Sequence, residues 1–181
     1  MKKLASLALL VAVFACKNVE QFKAPIETLS TDWASTTQAV TDFSNMLNTE
    51  KANLDTWMAN MPLAADVAAK LDDAGKAKLA EFEATAKTQS EGLNTMANDV
   101  SAFVSNWVSQ EGVVKGLVEG LAAQKLPADA ATQISTLTDL VTNAKTSVGT
   151  WTEKLNAAKT VISTLSSGYD AWKATLAPAK K

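Results

Sequence analysis

The chain contains neither arginine nor histidine, so lysine is its only basic residue. Arginine supplies the planar fork that recognises phosphate and carboxylate groups through paired hydrogen bonds. Histidine is the commonest metal ligand and the usual acid–base group near neutral pH. With a formal net charge of -2, these absences argue against a nucleic-acid binder, which would present a basic face. They also argue against a transition-metal site and most hydrolytic chemistry, so we expect a non-enzymatic protein without a cofactor.

Strand signals and long apolar runs are scarce as well. No stretch alternates apolar and polar residues between turn signals in the way that predicts a strand. The apolar run at the N-terminus, Leu4 to Phe14, is too short to span a bilayer, which needs about 20 residues. It follows Met1-Lys2-Lys3, and a short apolar run behind a positive start predicts an export signal.

The end of that run, Val13-Phe14-Ala15-Cys16, resembles the bacterial lipobox. The resemblance implies that the signal peptide, residues 1–15, is removed and that Cys16 becomes a lipid-bearing N-terminus. Cys16 is the only cysteine, so no disulfide partner competes for it. Residues 16–25 are then the lipidated cysteine and a tether, and the lipid holds the protein to a membrane. An ordinary signal peptide cut after Ala15 is the alternative.

Lys17 follows the cysteine. In enteric bacteria an aspartate at this place acts as an inner-membrane retention signal. The same resemblance therefore implies an outer membrane, on its periplasmic or cell-surface side.

Apolar residues recur at spacings of three and four along three long stretches, which begin at Ile26, Leu79 and Ala128. This periodicity is typical of helices that pack through one face. The third stretch ends at Leu176, and its core positions are Ile134, Leu137, Val141, Ala144, Val148, Trp151, Leu155, Ala158, Ile162, Leu165, Tyr169, Trp172 and Leu176. We expect an all-α fold over 26–176, an elongated antiparallel three-helix bundle of coiled-coil type, with a four-helix bundle as the alternative.

Two connections separate these stretches. Pro62 should stop the first helix at Met61, and Asp72–Gly75 supplies turn residues, so the first hairpin turn lies at one of these two places. Lys125-Leu126-Pro127 breaks the chain before the last helix.

All five tryptophans fall on core positions of these stretches: Trp33, Trp57, Trp107, Trp151 and Trp172. Aromatic residues at this spacing are core fillers far more often than binding platforms. The alternative is a cavity between the helices for a small apolar ligand.

One stretch, 111–121, is unusual because glycines recur four residues apart on the helical face opposite to its apolar side chains. Each glycine lowers helix stability by about 1 kcal/mol relative to alanine, so three glycines in one helical segment need a structural or functional explanation. Close approach of another helix, membrane contact by an opened tip, and a loosened helix end before Pro127 are the alternatives. The candidates for membrane or partner contact are Gly112, Val113, Val114, Gly116, Leu117, Val118, Gly120 and Leu121.

The C-terminal tail, 177–181, ends in Lys181. A terminal lysine on an alanine-rich helical lipoprotein is similar to the murein lipoprotein family, whose C-terminal lysine is joined to peptidoglycan. The resemblance implies Lys181 as an attachment point.

These features predict a lipoprotein that presents its bundle as a spacer, scaffold or protein-binding module, with a protein partner or self-association. The alternative is a membrane-active or lipid-binding bundle that resembles the long-helix bacterial pore-forming proteins and inserts residues 111–124.

Overall fold

The computed structural model describes the backbone of residues 4–176 and the side chains of residues 19–176. Within these limits the chain forms four helices and no strand: α1 (Leu4–Asn60), α2 (Ala65–Ala68), α3 (Asp73–Ala122) and α4 (Ala130–Thr175). Extensive contacts join the helices. The predicted all-α helical bundle is confirmed.

The core of α4 follows the predicted spacing throughout. All thirteen predicted core positions, from Ile134 to Leu176, are buried or half-buried. Each fully buried large apolar side chain contributes about 1.5–3 kcal/mol relative to an exposed one. A continuous apolar face against the other long helices is therefore what stabilises a helix of this length.

The first helix begins earlier than the sequence indicated. We expected residues 16–25 to be the lipidated cysteine and a tether, with the bundle beginning at Ile26, but α1 runs from Leu4 and contains Pro25 in its interior. Pro25 costs α1 one backbone hydrogen bond because it has no N–H. The compensation is packing, since Phe22 already lies against the buried core one turn before Pro25.

The connection between α1 and α3 uses both of the predicted breaks. α1 ends at Asn60, in agreement with a stop imposed by Pro62, and α2 lies within the connection. Asp72 lies directly before α3 and caps it, because its carboxylate accepts a hydrogen bond of 2.7 Å from the backbone N–H of Gly75. A side-chain oxygen that caps free N–H groups is the usual way to start a helix.

The chain divides into two compact units. Unit 1 comprises Met1–Val40 and Phe103–Val148, and unit 2 comprises Thr41–Ala102 and Gly149–Lys181. Both units therefore take segments from all three long helices. The buried cluster of unit 1 consists of Ile26, Leu29, Trp33, Trp107, Val114, Leu117, Ala130, Ile134, Leu137, Val141 and Ala144.

A buried cluster in unit 2 surrounds Tyr169. It consists of Met61, Phe82, Ala86, Leu165 and Tyr169. The Tyr169 hydroxyl donates a hydrogen bond to the carbonyl of Met61, beyond the last residue of α1. A carbonyl at a helix end lacks its partner within the helix, and the Tyr169 hydroxyl supplies a donor to this one.

Candidate functional site

The glycine-containing segment 111–121 lies in the last turns of α3, within unit 1. Val114 and Leu117 are buried in the cluster of unit 1, and Val113 and Leu121 are half-buried against it. Val118 is the exception, with 39% of its surface exposed. The apolar face of this segment is therefore already occupied by its own bundle.

The three glycines of the segment have different surroundings. A Cβ atom built on Gly112 or Gly116 would meet nothing within 4 Å. A Cβ on Gly120 would lie 2.9 Å from the backbone oxygen of Lys125 and 3.2 Å from the Leu126 side chain. Gly120 is thus required by packing, which the sequence did not reveal, whereas Gly112 and Gly116 lie on an open face of α3.

The close approach at Gly120 comes from the way α3 ends. Gln124 has a left-handed backbone with φ of 53°. The N–H of Lys125 donates to the carbonyl of Gly120 at 2.8 Å, and the N–H of Gln124 donates to that of Leu121 at 3.1 Å. This pair of bonds is the Schellman arrangement, which turns the chain back over the last helical turn. The end of α3 therefore has a regular capping arrangement that leads into the turn before α4.

Alanine substitutions should separate the roles of these glycines. We expect Gly112→Ala and Gly116→Ala each to raise the free energy of unfolding by about 1 kcal/mol, because alanine is the better helix former. We expect Gly120→Ala to lower it, because the clash with a backbone oxygen costs about 1–3 kcal/mol and exceeds that gain. Urea unfolding followed by circular dichroism measures all three.

Gly92 provides the matched control for the first two substitutions. It also lies in α3, and a Cβ built there would meet nothing within 4 Å. Gly92→Ala should stabilise the chain as much as Gly112→Ala. A stabilising Gly120→Ala would contradict the packing role of that glycine.

A groove of about 450 Å³ lies between α1 and α4 in unit 1. Its lining residues are Ala24, Pro25, Thr28, Leu29, Asp32, Ile134, Thr138, Val141, Thr142 and Lys145. The volume falls within the usual range for small-ligand pockets. The buried residues of its floor, Leu29, Ile134 and Val141, belong to the core of unit 1. The floor of this groove is therefore the core of unit 1, and none of the tryptophans lines it.

Asp32 and Lys145 form an ion pair of 2.9 Å within this groove. Both side chains are about half exposed, at 42% and 51%. Exposed pairs of this kind contribute about 0–1 kcal/mol. The pair joins α1 to α4 with little effect on stability, and the sequence did not indicate it because the residues are 113 positions apart.

A second groove, of about 270 Å³, lies where α1 meets the turn between α3 and α4. Val19 and Phe22 line it from α1, and Gln124, Lys125, Leu126, Pro127, Ala128 and Ala130 line it from the turn and the start of α4. Phe22 and Leu126 also pack against the buried cluster of unit 1. The turn thus lies beside the part of α1 that follows Cys16.

The tryptophans fill the interior, as their spacing predicted. Trp33 and Trp107 are buried, and Trp57, Trp151 and Trp172 are half-buried. Trp33 and Trp107 stack with ring centroids 3.7 Å apart and planes 11° apart. Aromatic rings committed to each other in this way do not offer a face to a ligand.

Glu50, which interrupts the apolar face of α1, is half-buried. Cys16 and Lys181 lie outside the residues whose side chains the structure describes.

Among the described residues, no group of three or more cysteine, aspartate or glutamate side chains is arranged to hold a metal ion. Within the same part of the chain, no helix combines the length and the apolar character needed to cross a membrane.

No protein-family model, curated protein or solved structure matches this chain.

Proposed function

We propose that this chain is a bacterial lipoprotein, attached to a membrane through an acylated Cys16, whose helical bundle serves as a spacer, scaffold or protein-binding module. The observation that carries the proposal is the sequence Val13-Phe14-Ala15-Cys16 behind a charged start and an apolar run. The uniqueness of Cys16 supports it, because a single cysteine has no disulfide to form within the chain.

The packing of the described residues favours a scaffold over the membrane-active alternative. Insertion of residues 111–124 would remove Val114 and Leu117 from the core, where 7% and 1% of their surfaces are exposed. Each removal costs about 1.5–3 kcal/mol before any gain from lipid. Gly112 and Gly116, with open space around them, remain candidates for contact with a partner or a second copy.

The location follows from the same proposal. Lys17 occupies the place of the inner-membrane retention aspartate, which favours an outer membrane. Attachment of Lys181 to peptidoglycan is a further proposal. It would hold the protein between membrane and wall.

Changing Cys16 to alanine tests the anchor. We expect the Cys16→Ala protein to be lost from the membrane fraction and to incorporate no labelled fatty acid, because the thiol sulfur is the atom that receives the lipid. Asn18→Ala is the matched control next to the same cleavage site and should stay with membranes. Membrane retention of Cys16→Ala equal to that of the control would contradict the proposal.

A further inference from the structure

The end of unit 1 nearest to Cys16 is built from two segments that meet in space. Val19 and Phe22 belong to α1, and residues 124–128 form the turn between α3 and α4. Residues of both segments line one groove of about 270 Å³, so the turn and the first described residues of α1 are neighbours.

The distance from Cys16 to this end is short whatever the backbone conformation. Val19 follows Cys16 by three residues, and three residues span at most about 11 Å when fully extended. Since Val19 and Phe22 are part of the bundle, little chain separates a lipid on Cys16 from packed structure. A bundle attached in this way is held close to the membrane surface.

The turn itself is rigid enough to serve as a contact. The two backbone hydrogen bonds at the end of α3 fix it, and Leu126 packs against the buried cluster. Lys125, Pro127 and Ala128 remain exposed. An exposed lysine beside small and apolar residues suits the headgroup layer, where a cation meets lipid phosphates.

We infer that the turn at residues 124–128 lies against the headgroup layer beside the anchor, so that unit 1 stands on the membrane through this turn. The inference rests on the proposed acylation of Cys16. The occupant of this surface is a lipid membrane carrying phosphate headgroups. In this orientation the apolar side chains of residues 111–121 stay packed in the bundle, and insertion of the segment is not required.

Site-specific probes on the full-length mature lipoprotein test this orientation. Once Cys16 is acylated, Lys125→Cys or Ala128→Cys introduces the only free thiol, at an exposed position of the turn. Asn143→Cys is the matched control, because Asn143 is also exposed in unit 1. It lies 13 residues beyond Ala130 in α4, or about 20 Å along the helix.

Each variant is labelled with a fluorophore and bound to vesicles of phosphatidylcholine and phosphatidylglycerol that carry a quencher on the headgroup. We expect quenching at positions 125 and 128 to exceed that at 143 by severalfold. Equal quenching at all three positions in acylated, vesicle-bound protein would overturn the inference while leaving the anchor intact. A second label on Cys16, detected by mass spectrometry, would show that the cysteine is not acylated and would overturn both.

Discussion

Replacing Trp107 with alanine is expected to lower the free energy of unfolding by about 3–5 kcal/mol, the usual cost of removing a large buried aromatic side chain. Only 3% of the Trp107 surface is exposed. Its ring stacks on Trp33 and lies 5.7 Å from the ring of Phe103. Truncation would therefore leave a cavity in unit 1 and an unpaired face on Trp33. Urea unfolding followed by circular dichroism measures the loss.

Trp172→Ala is the matched control, because Trp172 also occupies a core position but is only half-buried. Its loss should cost clearly less than that of Trp107. Equal costs at the two positions would contradict the ranking that the structure gives, since the heptad pattern alone treats both residues alike.

The polar edge of Trp107 adds a second, smaller effect. The indole Nε1–H donates to the Thr37 hydroxyl at 2.9 Å, and that hydroxyl donates to the backbone carbonyl of Trp33 at 2.8 Å. A double-mutant cycle with Trp107→Phe and Thr37→Val should give a coupling energy of about 0.5–1.5 kcal/mol. Strict additivity of the two substitutions would mean that this bond contributes nothing to stability.

The regular part of this fold was predictable because long helices repeat one rule. A spacing of three and four places two residues of every seven on one face. This rule holds without an exception from Ile134 to Leu176, which directly follows the last residue of α4. The rule depends only on neighbours along the chain. It therefore needs no knowledge of which helices meet.

What the sequence could not supply depends on residues that are distant along the chain. Trp107 and Thr37 are 70 residues apart, and Tyr169 and Met61 are 108 apart. The role of Gly120 depends on the backbone oxygen of Lys125, which the turn brings back over the last helical turn. The sequence also did not predict where α1 begins. Pro25 is compatible with the first turn of a helix, and with a helix interior when packing compensates for the lost hydrogen bond.

Thr36 is a polar residue that the apolar pattern did not predict to be buried. It interrupts the apolar stripe of α1, yet only 2% of its surface is exposed. Its hydroxyl is buried without a hydrogen-bond partner among the described residues. Burial without a partner costs about 1–3 kcal/mol, a cost that the apolar core around this position offsets.

Replacing Tyr169 with phenylalanine is expected to lower the free energy of unfolding by about 1–3 kcal/mol, because the buried carbonyl of Met61 would lose its donor. The packing should persist, since Trp57 and Phe82 contact the Tyr169 ring at centroid distances of 5.8 and 5.4 Å. Urea unfolding of Tyr169→Phe beside the wild type measures the loss. An unchanged stability would show that the hydroxyl does not support the end of α1.

The same residue should make stability depend on pH in the alkaline range. Burial, followed by the negative charges of Asp170 and Glu83, raises the pKa of Tyr169 above the value of about 10 that tyrosine has in an unfolded chain. The folded state therefore keeps a proton that the unfolded state releases. The stabilisation is complete below about pH 10 and is lost as the pH rises through the folded-state pKa.

Tyr169 is the only tyrosine in the chain, so tyrosinate absorbance reports this one group. We expect its titration in the folded protein at higher pH than in urea, although Lys173 lies 5.5 Å from the ring centroid and favours the phenolate. Wild type and Tyr169→Phe differ only in the hydroxyl of residue 169, so the difference in stability between the two proteins isolates the tyrosine. Because a phenolate has no proton to donate to Met61, that difference in stability should shrink as the pH rises above about 10. A difference that stays constant across this range would mean that the hydroxyl proton has no part in holding the end of α1.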